Sequence, residues 1–280
     1  SVFIIFIGVS LLWMYSAGKL KQGVLIGALI VLCLVDMWDV NKRYLYDGQF
    51  VEKQAQTRTF EPTETDKLIL QDKDLSYRVL NLASNTFNEN NTSYWHKSIG
   101  GYHAAKLRRY QEMIEEHIST EMNEVFKEVA RVGGEMDSLD ASKFPVLNML
   151  NARYFIFPLE GGKTIPLLNP HALGNAWFVD EVAYVNNANE EIDAIHGLDP
   201  IRKAIVDKRF ESVVKSVSVS DSTCSASLIA YEPNELKYEV NSTNGGTVVF
   251  SEIYYPGWQA YIDGEKMEHG RANYILRAMN

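Results

Sequence analysis

Residues 93–110, SYWHKSIGGYHAAKLRRY, gather the side chains of this chain best suited to holding a ligand. Arg108 and Arg109 are neighbouring guanidinium groups, and the guanidinium fork matches phosphate oxygens two at a time. Trp95 and Tyr102 offer flat faces for a sugar ring, and His96 and His103 could hydrogen-bond its hydroxyls. A helix starting near Ala104 would add free backbone N–H groups, which attract anions. The set suits an anionic glycan or a sugar carried on a polyprenyl phosphate. The structural alternative is arginines facing acidic partners along a helix, with the aromatics packed in a core. No carboxylate or cysteine stands at ligand spacing from His96 and His103, so no metal centre is expected.

A second concentration is Tyr254-Tyr255-Pro256-Gly257-Trp258. Tyr255 and Trp258 could stack on sugar rings, or Pro-Gly is simply a turn with Trp258 packed beneath it. His171, in the turn-rich loop NPHALGN, is a further candidate beside the site, or a surface residue. Other chemistries lack their residues: there is no G-x-S-x-G, no CxxC and no H-E-x-x-H, and no cofactor is expected. The two cysteines, Cys33 and Cys224, lie in segments too unlike to pair.

The elements that must position these groups begin with 38 residues of two apolar runs around the basic turn Lys19-Leu20-Lys21-Gln22. Between Val2 and Val35, Lys19 and Lys21 are the only charged side chains, so neither run has a polar face to turn to water. Helices apolar all round are core or membrane. A signal peptide would carry its basic residues ahead of a single apolar run; here they lie between two. The pattern predicts a membrane hairpin whose first helix is cut short, with a buried helical hairpin as the alternative. Lysines in a short turn favour the cytoplasmic side, which places residues after about 40 outside. Trp13, Tyr15 and Trp38 fit interfacial positions. Asp36, at the edge of the second run, could serve a site or simply reach headgroup water.

The net charge is -9 over 280 residues, and the first 40 are balanced, so the acidic excess belongs to the rest. With no basic stripe, nucleic acid is not an expected partner. Residues 41–61 are polar without a sustained period and predict a connector. Thr63 with Asp66 predicts the capped start of a helix over Glu64–Gln71, and Tyr77–Leu82 a strand. A helical stripe of Leu107, Tyr110, Ile114 and Ile118 runs from Ala104 to about Val132, where Gly133-Gly134 ends it. Pro145 opens a short helix, and Arg153–Phe157 predicts a central strand. Thr164–Leu168 and Ala176–Val185 are each expected as one strand. Asn189 is expected to cap Glu190–His196, and Asp199-Pro200 to open a helix over IRKAIVDK. From Ser212, VVKSVSVS, ASLIAY, LKYEV, TVVFSEIYY and QAYID read as strands between turns, as in an antiparallel sandwich, with Asp263-Gly264 at a hairpin tip.

KSIGGYHAAKLRRYQE, LNMLNARYFIF, NPHALGNAWFV and SEIYYPGWQAYIDG, in this order, resemble the YfhO family of bacterial multispanning membrane proteins. The resemblance covers essentially the whole chain and implies its C-terminal portion: last membrane helices plus extracytoplasmic domain. It implies a membrane glycosyltransferase-like protein of the GT-C type that uses polyprenyl-phosphate sugars outside the cell membrane. The base expected in such folds lies on an early outside loop not present here, so no catalytic residue carries over. The expected architecture is therefore a membrane α-helical hairpin over 1–40 and a connector over 41–61. An α+β extracytoplasmic domain over 62–211 follows, then an antiparallel β-sandwich-like domain over 212–280, truncated at its C-terminus. Expected partners are the lipid bilayer, a polyprenyl-phosphate sugar and an envelope glycan. A non-catalytic carbohydrate-binding or assembly module is the alternative.

Overall fold

The computed structural model describes residues 2–53, 60–217 and 224–280. They divide into two compact units, 1–61 and 62–280.

In the first unit, α1 (Val2–Ser16) and α2 (Gln22–Tyr44) are joined by a short turn and touch where Gly8 faces Leu32. Their apolar side chains stay uncovered: Phe3, Phe6, Val31, Leu34 and Trp38 are all exposed, and Leu25 alone among the residues of these two helices is buried. At about 1.5 Å per residue α2 is roughly 34 Å long, against a hydrocarbon core of about 30 Å. Among the described residues it is the one helix long and apolar enough to cross a membrane; α1, with 15 residues, is shorter. The connector expected from Asn41 starts later, because α2 continues through Tyr44, where Asp39 and Arg43 pair one turn apart at 3.3 Å. Part of that connector, residues 54–59, lies outside the described residues.

The second unit opens with α3 (Glu64–Ile69), capped as its Thr-x-x-Asp spacing predicts. The Thr63 hydroxyl accepts from the Asp66 N–H at 3.1 Å, and the Asp66 carboxylate accepts from the Thr63 N–H at 2.8 Å. Strand β1 (Arg78–Asn81) lies parallel to β2 (Ala152–Pro158), which pairs antiparallel with β3 (Thr164–Leu168). Arg153–Phe157 is thus in the central strand, as its unbroken apolar run predicts.

After α4 (Asn91–Trp95), the long helix begins at Arg108, not near Ala104. Residues 96–107 are held in loop form instead. Beside β1 the Ile99 N–H donates to the Val79 carbonyl and the Val79 N–H to the Lys97 carbonyl, Gly101 donates to the Thr86 carbonyl, and Tyr110 holds the Ile99 carbonyl with its hydroxyl at 2.7 Å. The helix runs as α5 (Arg108–Met113), one π turn over Ile114–Ile118, then α6 (Ser119–Val132). At the π turn the Ser119 hydroxyl satisfies the Ile114 carbonyl at 2.7 Å. Gly133, at φ 60°, ends it.

Every residue of α7 (Pro145–Met149) is buried, so its first N–H groups cannot reach water. The Glu121 carboxylate on α6 takes them, accepting from Val146 at 2.9 Å and Leu147 at 2.8 Å. Phe144, Leu147, Met149, Leu150 and Phe155 form the centre of the core.

The expected single strand over 176–185 is two, broken at Asp180: β4 (Ala176–Val179) and β5 (Glu181–Val185), in different sheets. The next helix, α8 (Ala188–Asp193), is capped by Asn187, two residues before the expected cap at Asn189. IRKAIVDK is not a helix. Asp199 makes a turn by accepting from the Ile201 N–H, and β6 (Lys203–Asp207) follows, parallel to β5. Ala204, Ile205 and Val206 are buried in succession, and a β-rich apolar run buried on both faces suits a parallel strand better than a one-sided helix.

Residues 211–217 form a turn and a loop in place of the strand expected from Ser212, and 218–220 lie outside the described residues. Strands β7 (Ser225–Glu232) and β8 (Glu235–Asn241) make a hairpin. Beyond it come β9 (Thr247–Ile253), the small pair β10 (Ala260–Ile262) and β11 (Glu265–Met267), then β12 (Gly270–Ala272) and β13 (Leu276–Met279). The larger sheet has the order β12-β13-β9-β4 and is antiparallel throughout. Its membership corrects the boundary expected near 211: β4, from before that point, pairs with β9 from beyond it, inside one compact unit. The expected sandwich is reduced to this four-stranded sheet with the β7–β8 hairpin laid on it, Tyr238 against Phe250 at 4.8 Å.

Candidate functional site

The side chains of residues 93–110 do not converge. His96 is buried, its Nε2 2.9 Å from the Asp66 carboxylate, so it fastens the loop to α3. Burial pushes Asp66 up, but hydrogen bonds from His96 and Thr63 outweigh it and hold the carboxyl below its ordinary value. Trp95 is half-buried, edge-on to Tyr94 at 5.2 Å. Tyr102 and His103 are exposed, and the His103 ring accepts from the Ala105 N–H.

The two arginines part company. Arg108 is 91% exposed and pairs with Glu112 at 2.8 Å. Arg109 turns inward, donating to Glu191 at 3.0 Å with its guanidinium 4.2 Å from the Tyr274 ring. They cannot grip one phosphate from both sides, and for Arg109 the structural alternative is what the geometry displays. Glu191, fully buried, also accepts from Arg271 at 3.0 Å, and Arg271 lies 5.3 Å from the Phe210 ring centre, 6.0 Å from that of Tyr254 and 3.8 Å from Asp207. This ionic network ties α5, α8, β6 and β12 together. Tyr274 donates to Glu112, and burial together with that bond pushes the phenol up to about 12. His171 is half-buried and reaches the Leu139 carbonyl at 3.0 Å, so it fixes its loop.

At the other concentration, Tyr255 is 54% exposed beside the Pro256–Gly257 turn. Trp258 is half-buried, and one face of its indole is covered by the Arg277 guanidinium at 4.3 Å.

Arg277 leads to a group that the sequence does not announce. The register of the larger sheet puts Phe250, Glu252 and Arg277 on the face under the β7–β8 hairpin, while Val249, Leu276 and Ala278 face the core. Tyr231 and Tyr238 point back from the hairpin. The strip beside β1 brings in Lys97, whose Nζ donates to Ser76 at 2.8 Å and lies 2.9 Å from the centre of the Tyr231 ring. Arg78, on β1, spends its donors on the Leu150 carbonyl and on the hydroxyl and carbonyl of Ser251, with Glu252 3.8 Å away.

Lys97 thus lies on the Tyr231 ring and Arg78 beside Glu252, while Tyr238 packs on Phe250, the cross-strand neighbour of Arg277. Burial pushes Lys97 down to about 8; Glu252 resists this and Arg78 adds to it. It also lowers Arg277 and raises both phenols. The Tyr238 hydroxyl is buried without a hydrogen-bond partner. Lys97 sat in the stretch singled out above, but as the residue between two candidates; Tyr231, Tyr238 and Arg277 are inward positions of alternating strands, whose convergence depends on sheet register.

A groove of about 550 Å³ is lined by His196, Asp199, Arg202 and Lys203, among others, but its basic residues are already paired, Arg202 with Asp180 and Lys203 with Glu181. Among the described residues no three His, Cys, Asp or Glu side chains are grouped to hold a metal ion. No family model, no curated protein and no solved structure matches the chain.

Proposed function

We propose that this chain is part of a membrane glycosyltransferase-like protein, placed outside the membrane to handle a lipid-linked sugar or its envelope-glycan acceptor. The observation that carries the reading is the pairing of Trp258 with Arg277 of β13, with Tyr255 exposed three residues before Trp258. A half-buried indole backed by a guanidinium, with an exposed ring near it in the chain, suits a sugar bearing negative charge. Uncovered apolar helices α1 and α2 support the bilayer as the second partner, with both helices crossing it. Lys19 and Lys21 in the short turn favour the cytoplasmic side. Lys42 and Arg43, at the other end of α2, head a long segment, and long segments translocate largely regardless of charge.

The non-catalytic alternative, a carbohydrate-binding or assembly module, has its own support. The ionisable residues of 93–110 scatter into separate structural pairings. Under it the same sugar surface acts by holding the glycan alone.

The test is glycan-array binding by the detergent-solubilised chain and by Trp258→Ala. Binding to acidic glycans that disappears in Trp258→Ala, with an unchanged near-ultraviolet spectrum elsewhere, is the expected result. No binding by the parent chain would end the proposal.

A further inference from the structure

The long helix carries a histidine inward at its π turn, and a second histidine meets it there. His117 lies in the turn between α5 and α6 and is 5% exposed. Single π turns inside α-helices recur at functional sites. The His117 ring stands 4.4 Å from that of His196, tilted by 46°, and His196 is exposed on the loop after α8. A carbonyl oxygen only accepts, so the 3.0 Å contact of Nε2 with the Ile192 carbonyl puts the hydrogen of neutral His117 on Nε2. Any further proton must go to Nδ1 of a ring that is almost wholly buried. Residues 194–198 continue from α8 into one wall of the groove of about 550 Å³, which Ala194, His196, Gly197 and Leu198 line.

The charged groups around the pair are few. Glu116 lies on the same turn as His117, Asp193 and His196 come from the α8 side, and α7, packed on that turn, brings no titratable side chain. Glu191, earlier on α8, is held by Arg109 and Arg271, and Glu121 by the first N–H groups of α7. The α8 segment is thus anchored by ions at Glu191 and by a stacked pair of imidazoles at its far end.

We propose that the stacked His117–His196 pair is an acid-operated latch: a proton on each ring forces the two apart, loosens residues 192–198 from the long helix and opens that wall of the groove. Two imidazolium rings at this spacing repel, and the inner one would carry its charge out of water. Glu116 and Asp193 attract the added charge, but burial outweighs them and holds the His117 titration below its ordinary 6.5. Once opened, the ring takes its proton at about that ordinary value. The contribution of the latch to closure is therefore full above about pH 6.5 and is lost as pH falls below it. This is the reverse of Glu121, whose burial stabilises the chain in acid. The latch lies beyond the sugar surface at Trp258 and stands whether or not that surface binds a glycan.

Amide hydrogen exchange of the full chain in detergent reads the latch, with each rate corrected for its intrinsic pH dependence. The reporters are the Ala194, His196 and Leu198 amides, which donate to the Glu190, Asp193 and Ile195 carbonyls; the Gly101 amide, bound to the Thr86 carbonyl, is the reference. The expected result is a loss of protection at the three reporters below about pH 6.5, of up to about tenfold per pH unit for each extra proton taken up on opening, with Gly101 unchanged. His117→Phe keeps a ring against His196 but takes no proton, and it abolishes the loss. If that variant does not fold, His196→Phe, altered at an exposed position, decides alone, and in it the loss shrinks. Reporter protection that stays flat between about pH 8 and 5 overturns the proposal. So does a loss of the parent's size in every variant that folds, or a loss that Gly101 shares equally. No readout here involves a glycan, so this proposal and the sugar surface fail separately.

Discussion

Arg109 and Glu191 meet at 3.0 Å across 82 positions of sequence, the arginine from the first turn of α5 and the carboxylate from a fully buried place on α8. Arg108, one residue earlier, reaches only Glu112 on its own helix and lies in solvent.

Neighbouring arginines should therefore respond very differently to truncation. Arg109→Ala removes one of two cations from a buried carboxylate and is expected to cost roughly 1.5–3 kcal/mol in urea denaturation. Arg108→Ala is expected to stay within about 0.5 kcal/mol of the parent, as exposed pairs do. Equal losses in the two variants would mean that the inward and outward assignments are wrong.

Stability should fall with rising pH through Glu121. Burial pushes its carboxyl from 4.5 up to about 8, against the pull of the two backbone N–H groups it accepts from. The folded chain then keeps a proton that the unfolded chain releases. The contribution is full below about pH 4.5, declines as pH rises toward about 8, and can reach about 1.4 kcal/mol per unit. Glu121→Gln does not titrate and should flatten the profile between pH 5 and 8. Parallel profiles for parent and variant would refute the assignment.

Gly100 is fixed by contact. A Cβ there would stand 2.0 Å from the Thr86 carbonyl oxygen, which is backbone and cannot swing aside. Gly100→Ala should destabilise by roughly 1–3 kcal/mol, the scale of overpacking, and should loosen the loop that carries Lys97. Hydrogen exchange at the Ile99 and Gly101 amides would report it, and unaltered protection there would contradict it.

Membrane residence can be checked at the middle of α2. Val31→Arg places a guanidinium at the helix centre, a cost of about 2.5–3.5 kcal/mol on insertion scales. The parent chain should stay with membranes through an alkaline carbonate wash, and the variant should be partly extracted. A parent chain that washes off, soluble and monodisperse without detergent, would remove the bilayer from its list of partners.

Local signals in the sequence transferred well where the determinant was itself local. The Thr63–Asp66 box, the Gly133 stop, the Pro145 start and the Asp263-Gly264 tip are each decided by a few neighbouring residues. Failures occur where distant pairing decides. IRKAIVDK carries a good helix opening, yet β5 and the turn at Asn273 draw Ala204–Val206 into a strand. AWFVDEVAYV reads as one strand, because nothing within it tells that β9 will take one half and β6 the other. The candidate residues follow the same rule. Trp258 and Tyr255 were visible as a cluster because they are sequence neighbours, whereas the pairings of Lys97 with Tyr231, Tyr238 with Phe250 and Arg277 with Trp258 join distant places that no local signal connects.

Strand β13 lies between β12 and β9, an interior place in its sheet. Until Leu276–Met279 has left the ribosome, β9 therefore offers an open ladder edge on a strand rich in Val and Phe. Arg78 has by then waited for Ser251, its partner 173 residues on, which arrives with β9 itself. The nascent chain carries this unpaired edge from the completion of β9 at Ile253 until Met279 has emerged, so a chaperone able to shield an extended apolar strand would have its greatest effect in that interval.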